Sequence, residues 1–300
     1  MHVFLKLLEV FFLAVDQHKT FGLRSEWLNM FLQDHEDESL FVNSMGNRQL
    51  ESFAVWMRQA DIARIKISKK GKGDLTITKK PLFEIIKRYD PLLTDNGTWW
   101  IILFNLARPI HGAEIVNWFV TSFLLEKFYA DDITRALVKD FPSLSRRTLR
   151  NAQNALMGLL NNTPIGSNLG LASKNGEHFI RRSLRADEIP LSIFAYCIVR
   201  ASEDLDRRFF SIIELEDGNG FPRRFFSLSR KENEVIIDKI HKAYDKMILE
   251  VSHTGGLGSV HMKEIPSLVL ARQYYLERKG ITPLEALKTN LKEEVNDQLL

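Results

Sequence analysis

Ile62-Ala63-Arg64-Ile65-Lys66-Ile67 alternates apolar and basic side chains, Lys69 to Asp74 is a turn rich in Gly and Lys, and Leu75-Thr76-Ile77-Thr78 alternates again. A period of two on both sides of a glycine turn spells a β-hairpin. The residues before it repeat at helical spacing. Between Ser25 and Leu32 the apolar positions are Trp27, Leu28, Phe31 and Leu32; after a loop holding Met45, Gly46 and Asn47, the segment Arg48 to Ala60 aligns Leu50, Phe53, Ala54 and Met57 on one stripe. Arg48, Gln49, Ser52 and Gln59 fall off that stripe and predict a polar face. Helix, turn, polar-faced helix and hairpin is the order of a winged helix-turn-helix, whose second helix enters the major groove while the wing lies along phosphates. Arg48, Gln49 and Ser52 are then expected to approach bases, and Lys69, Lys70 and Lys72 to hold phosphates. Lysines at a hairpin tip equally suit the guarding of an edge strand against aggregation.

The chain has 300 residues, enough for more than one core, and its 45% hydrophobic and 26% charged content is that of a folded rather than a disordered protein. Its single cysteine, Cys197, lies in the apolar run Ile193 to Val199 and reads as a small core residue. Val3 to Val15 is apolar, but Lys6 and Glu9 interrupt it and it has neither a basic flank nor a small-residue cleavage site. It is also too short to span a bilayer. A cytoplasmic protein without a membrane segment is expected. Net charge is only +3, yet it is unevenly distributed. Ile62–Asp90 holds nine Lys or Arg against three acids, Pro142–Arg185 seven against one, and Glu203–Asp217 six acids against two arginines. Two separate basic blocks suit contact with a polyanion.

Trp99 to Ala107 and Ile115 to Leu124 are dense in apolar residues at helical spacing and predict a helical connector. A second helix-turn-helix is expected from Asp132–Phe141, the turn Pro142-Ser143-Leu144-Ser145, and Arg146–Leu160. There Leu149, Ala152, Leu156, Leu159 and Leu160 face inward and Arg146, Arg147, Arg150, Asn151 and Asn154 face solvent; Arg and Asn are the side chains that read guanine and adenine edges. Leu171–Leu184, with Lys174-Asn175-Gly176 in its middle and Arg181-Arg182 after it, is the expected wing. In the last third, Ser229-Arg230-Lys231-Glu232 is a capping box, and a hairpin is expected around a wide loop, His253 to Ser259. The expected fold is thus mainly α with small β-hairpins (α+β): tandem winged helix-turn-helix modules joined by a helical connector. Its parts are an N-terminal module over 1–92, the connector over 93–130, a second module over 131–200, and a C-terminal helix and hairpin module over 201–300.

The string His18 to Leu28 resembles the opening signature of a domain-of-unknown-function family encoded in bacterial DNA phosphorothioation loci. Val55-Trp56-Met57-Arg58, Leu75-Thr76-Ile77-Thr78, Tyr89-Asp90-Pro91, Gly97-Thr98-Trp99-Trp100, Leu106-Ala107 and Ser145 to Arg150 extend the resemblance, and Thr254-Gly255-Gly256-Leu257 does so loosely. The resemblance implies a part in replacing a non-bridging phosphate oxygen of DNA by sulfur. Implied with it are DNA-nicking activity and three partners, a cysteine desulfurase, an ATP pyrophosphatase and an ATPase. It carries no catalytic motif onto numbered positions here.

Candidate catalytic residues therefore come from chemistry. Nicking a phosphodiester commonly uses carboxylates that hold Mg²⁺ or Mn²⁺. The densest acid cluster is Asp34-His35-Glu36-Asp37-Glu38, just before the expected recognition helix. Glu36, Asp37 and Glu38 are the candidate catalytic residues, and Asp34 and Glu36 the candidate ligands of the divalent metal. The same acids also suit the cap and first turn of a helix. The second cluster, Glu203, Asp204 and Asp206 with Glu214, Glu216 and Asp217, sits beside Arg207 and Arg208, as ordinary ion pairs do. Three classes of function stay open: a metal-dependent DNA nickase, a non-catalytic DNA-binding scaffold or regulator of the same system, and a protein whose helical modules mainly bind protein partners.

Overall fold

The computed structural model describes residues 15, 17–33, 44–67, 75–218, 220–254 and 257–298, whose contacts cluster into two units, Met1–Arg182 and Ser183–Leu300. In the first unit Trp27, Leu28, Phe31 and Leu32 are all buried on α1 (Ser25–Gln33). α2 (Asn47–Gln59) buries Leu50, Phe53 and Met57 as its stripe predicts. β1 (Ala63–Ile67) and β2 (Leu75–Lys79) pair antiparallel, with Arg64 opposite Thr78 and Lys66 opposite Thr76.

Two residues expected on the polar face of α2, Ser52 and Gln59, are buried instead. The reason is a second covering that periodicity does not reveal. The extended segment before α1 lies along this face: the Ser52 hydroxyl and the Trp56 indole N–H both donate to the Phe21 carbonyl, at 2.8 and 2.9 Å. The buried His18 ring stacks on Trp56 with centroids 3.6 Å apart, and its Nε2 lies 2.6 Å from Gln59 Oε1. Burial holds the imidazole pKa down at about 4, so it is neutral at ordinary pH.

α3 (Pro81–Tyr89) starts on proline, whose missing N–H a first helical turn does not need. α4 (Asn96–Ala107) is buried almost all round, and Asp95 caps it by accepting from Gly97 N. The buried Asp90 carboxylate just upstream accepts from Thr94 N, Asp95 N and the Thr98 hydroxyl, at 2.9, 3.1 and 2.6 Å. The Tyr89-Asp90-Pro91 and Gly97-Thr98 strings thus form one satisfied turn. α5 (Glu114–Thr121) completes the apolar core with Ile115, Val116, Trp118 and Phe119.

Then come β3 (Lys127–Phe128), α6 (Ala130–Asp140), α7 (Arg146–Asn162), the single turn α8 (Pro164–Ser167), β4 (Ser173–Asn175) and β5 (His178–Ile180). The sheet order is β3-β5-β4, and Gly176, at φ +62°, makes the tight β4–β5 turn. Strand β3 falls in the segment expected to be purely helical. Gly22 locks the N-terminal segment to α7, because a Cβ there would stand 2.1 Å from Leu159 N. A Cβ on Gly158 would stand 2.9 Å from Gly22 N, so the two glycines permit one backbone-to-backbone contact. The Ser25 hydroxyl adds a bond to the Asn162 carbonyl at 3.0 Å.

The second unit opens with a 3₁₀ turn (Ala186–Glu188) and α9 (Leu191–Asp204), which buries Ile193 to Val199 without a break, Cys197 included. Burial pushes the Cys197 thiol pKa well up, which removes it from thiolate chemistry. β6 (Phe209–Ser211), α10 (Ile212–Asp217), α11 (Pro222–Phe225) and α12 (Arg230–Ala243) lead to β7 (Leu249–Thr254) and β8 (Leu257–Met262). The sheet order is β6-β8-β7, the same first-third-second arrangement as in the first unit. The wide loop expected over His253–Ser259 contracts, because β7 runs to Thr254 and β8 resumes at Leu257. α13 (Ser267–Arg278) and α14 (Pro283–Gln298) close the unit. Its core holds a satisfied carboxylate: Glu277 accepts from the Tyr244 hydroxyl, from Ser192 Oγ at 2.7 Å and from Gln273 Nε2 at 2.8 Å. The fold is mixed α and β, mostly helical with small antiparallel sheets, and no helix among the described residues is long and apolar enough to cross a membrane.

Candidate nucleic-acid interface

The N-terminal half of α7 concentrates the charge. Ser145 caps the helix, its Oγ accepting from Thr148 N at 3.1 Å. Leu149, Ala152, Ala155, Leu156, Leu159 and Leu160 bury one face. Gln153 sets the crossing with α6 by donating to the Ala130 carbonyl at 2.9 Å and accepting from the Thr134 hydroxyl at 2.8 Å. The opposite face exposes Arg146, Arg150 and Asn154, spaced four residues apart, with Arg147 beside them. α7 holds no acid, and among the described residues none of its three arginines has an ion-pair partner. The first turn of a helix is the positive end of its dipole, where cations are disfavoured. Three unpaired guanidiniums in the first two turns therefore oppose helix stability, and an anion is what would relieve them.

The β1–β2 hairpin presents a second basic surface. Arg64, Lys66, Thr76 and Thr78 share its exposed face in register, and Lys79 is exposed at its end. The tip lysines Lys69, Lys70 and Lys72 lie outside the described residues. On α2, Arg48 is exposed, but Gln49 is half-buried and its Oε1 accepts from Gly46 N at 2.8 Å, a helix cap. Ser52 is fully engaged beneath Phe21. Of the three residues expected to approach bases there, Arg48 alone projects freely.

Arg181, expected at the second wing, faces the core. Its residue is 9% exposed, its Nη2 donates to the Phe119 carbonyl at 2.9 Å and its Nη1 to the Phe123 carbonyl, and its guanidinium lies 4.2 Å from the Phe119 ring centroid. Burial lowers its pKa to about 10, which leaves it charged. A β-strand alternates its faces, and the step from Ile180 to Arg181 turns this cation inward to cap the carbonyls that end α5. Arg182 is exposed, with its N–H on the Gly170 carbonyl at 2.7 Å.

Asp34, Glu36, Asp37 and Glu38 lie outside the described residues. The second acid cluster is occupied with structure. Glu203 accepts from Ser267 N and Ser267 Oγ, both at 2.7 Å, and so caps α13. Glu214 closes the capping box of α10: the Ser211 N–H and Arg207 hold its carboxyl below the usual range. The buried Glu216 and its neighbour Asp217 pair with Arg230, at 3.4 and 2.8 Å. Among the described residues no three carboxylates, histidines or cysteines converge as a metal site would require.

The described residues form a mostly helical α+β scaffold with three exposed arginines at one helix start, none of them ion-paired among those residues. Residues 15–157 match a family model described as a protein of unknown function, DUF4007. Two solved structures share the fold. A magnesium ion-bound SspB crystal structure aligns with a TM-score of 0.61 and 17% identity, over 92% of this chain and 96% of that one. A second SspB crystal structure aligns with a TM-score of 0.62 and 18% identity over the same shares. No curated protein sequence matches the chain. The resemblance carried by the signature strings, to a domain-of-unknown-function family related to SspB, is thereby borne out.

Proposed function

We propose that the protein is the DNA-binding component of a bacterial DNA phosphorothioation system, and that it nicks the duplex to expose a strand for sulfur modification. The observation that carries the DNA-binding reading is the Arg146, Arg147 and Arg150 cluster at the start of α7, unpaired among the described residues, which a bound anion would stabilise. The strand–helix–helix–hairpin order and the β3-β5-β4 sheet support a winged-helix reading of residues 127–180, in which α7 enters the major groove. Arg146 and Arg150 then face guanine edges and Asn154 an adenine edge, one helical turn apart. Arg48, Arg64, Lys66, Lys69, Lys70, Lys72 and Arg182 hold phosphates.

The nicking reading rests on the family likeness, with Mg²⁺ or Mn²⁺ held by Asp34 and Glu36 and the catalytic acids drawn from Glu36, Asp37 and Glu38. The cysteine desulfurase, ATP pyrophosphatase and ATPase of such a system are its expected partners. Supercoiled plasmid incubated with the pure protein should become open-circular with Mg²⁺ or Mn²⁺ and stay supercoiled with EDTA. Replacing Glu36, Asp37 and Glu38 by Ala should abolish that product and leave DNA affinity intact; unchanged nicking would remove these acids from the site. A second reading, a scaffold that holds DNA without cutting it, is favoured by the acids of the second unit, which serve as helix caps and ion-pair partners. Open-circular product in no metal condition, with gel-shift affinity intact, would select it.

A further inference from the structure

The β6–β8–β7 sheet has one face in the core and one in solvent. Phe210 and Val260 are opposite each other in the inward row and are buried. The outward rows are Phe209, His261 and Glu250, then Ser211, Ser259 and Ser252, each aligned across the three strands. Alternation alone would put a polar residue at 209. Instead a phenylalanine stands there, 63% exposed, its ring stacked on His261 with centroids 4.1 Å apart and planes 8° from parallel. Among the described residues β6 is an edge strand; the imidazole supports one face of the ring, which still leaves Phe209 63% exposed.

We infer that this surface is a stacking platform for an unpaired base of single-stranded DNA, with Phe209 as the ring that receives the base. A flat ring backed by a second flat ring extends the stack that a base forms with its neighbours, and stacking is indifferent to sequence because every base has a π-face. The surroundings suit a nucleic acid strand better than a protein. Arg207 and Arg208 precede Phe209, and Lys263 follows β8. The Arg207 guanidinium donates to the Phe209 carbonyl at 2.8 Å and lies 4.6 Å from the ring centroid of the inward Phe210, so it flanks the strand and not the Phe209 ring. Each of these cations has a carboxylate partner in Glu214, Glu264 or Glu250, so the affinity expected of the platform comes from the stacked base and not from unbalanced charge. The neighbouring outward row is made of serine hydroxyls rather than aliphatic side chains. The platform belongs to the second unit and is independent of duplex binding by α7.

The test uses the full chain and a 12-nucleotide oligothymidylate carrying one 2-aminopurine, whose fluorescence is quenched when it stacks on an aromatic ring. Phe209→Ala should lower single-strand affinity about tenfold, the 1.4 kcal/mol that one lost stacked base represents, and relieve the quench. Phe209→Trp should keep both. Because the ring is exposed and supports no core, the Ala variant should keep the wild-type circular dichroism and duplex affinity. Unchanged quench and single-strand affinity in Phe209→Ala would overturn the proposal. The same unchanged binding with a loss of self-association in sedimentation would overturn it in favour of a protein-contact surface. Arg146→Ala/Arg147→Ala/Arg150→Ala should retain the quench, which separates this platform from the duplex reading.

Discussion

Residues 127–180 and 209–262 are two versions of one topology: a strand, two or more helices and a hairpin, with the first strand paired to the third. Their surfaces differ. α7 exposes Arg146, Arg147 and Arg150 with no acid on the helix, whereas α12 mixes four basic residues with three acids. Arg230, at the first position of α12, is tied to Glu216 and Asp217, so the charge at that helix start is neutralised. The long helix of the first region starts on cations without ion-pair partners among the described residues, and that of the second starts on one that has two. A shared arrangement of strands therefore says little about contact with DNA; the charge left unbalanced on the helix says more.

The difference can be broken or sharpened by four experiments. The largest effect is expected at Gly22, where a Cβ would collide with the α7 backbone at Leu159 N. Gly22→Ala should destabilise the protein by about 3 kcal/mol, the upper range for overpacking, and lower the thermal midpoint by roughly 6–12 °C. A midpoint within a degree of wild type would show that the contact yields freely. Next, Arg146→Ala/Arg147→Ala/Arg150→Ala should weaken duplex binding on the order of 100-fold and flatten its dependence on salt. Arg230→Ala should change it less than about threefold, since a charge already partnered by Glu216 and Asp217 releases few counterions. Equal losses in the two variants would erase the functional contrast. The caps test the structural likeness. Ser145 accepts from Thr148 N, and Ser229 accepts from Glu232 N, so Ser145→Ala and Ser229→Ala should each cost about 1 kcal/mol in denaturant unfolding.

The smallest effect concerns Glu114 at the start of α5, whose Oε2 is buried without a hydrogen-bond partner among the described residues and whose pKa burial raises to about 7. A carboxyl with a raised native pKa binds its proton more tightly when folded, so stability falls as pH rises from about 4.5 towards 7. Discounted for the solvent that reaches this half-buried group, the loss is about 1 kcal/mol. Glu114→Gln should recover it at pH 8 and make little difference at pH 4.5. Equal midpoints for both proteins at pH 8 would dispose of the desolvation argument.

The sequence displays the long periodic elements well. α1, the buried stripe of α2, the β1–β2 hairpin, α7 with its inward and outward faces, and the capping box of α12 can all be read from spacing. Two short strands cannot. Lys127–Phe128 and Phe209–Ser211 are too brief to show a period, yet they complete both three-stranded sheets. Ser52 and Gln59 mislead because a helix covered on two sides keeps its polar residues for buried hydrogen bonds, and only the partner segment reveals that second side. Arg181 misleads in the opposite sense: a cation inside a basic block serves as a cap, a choice made by strand parity and not by composition. The open ring of Phe209 has no sequence signal apart from its break in alternation between apolar and polar faces.

The inward guanidinium of Arg181 also says where the first unit finishes. The side chain that ties the last strand to α5 belongs to the penultimate residue of that unit, which ends at Arg182. Nothing after that point is needed to close its sheet. The boundary between the units thus falls one residue after the side chain that fastens the last strand, and all three strands of the β3-β5-β4 sheet lie on the first unit's side of that boundary.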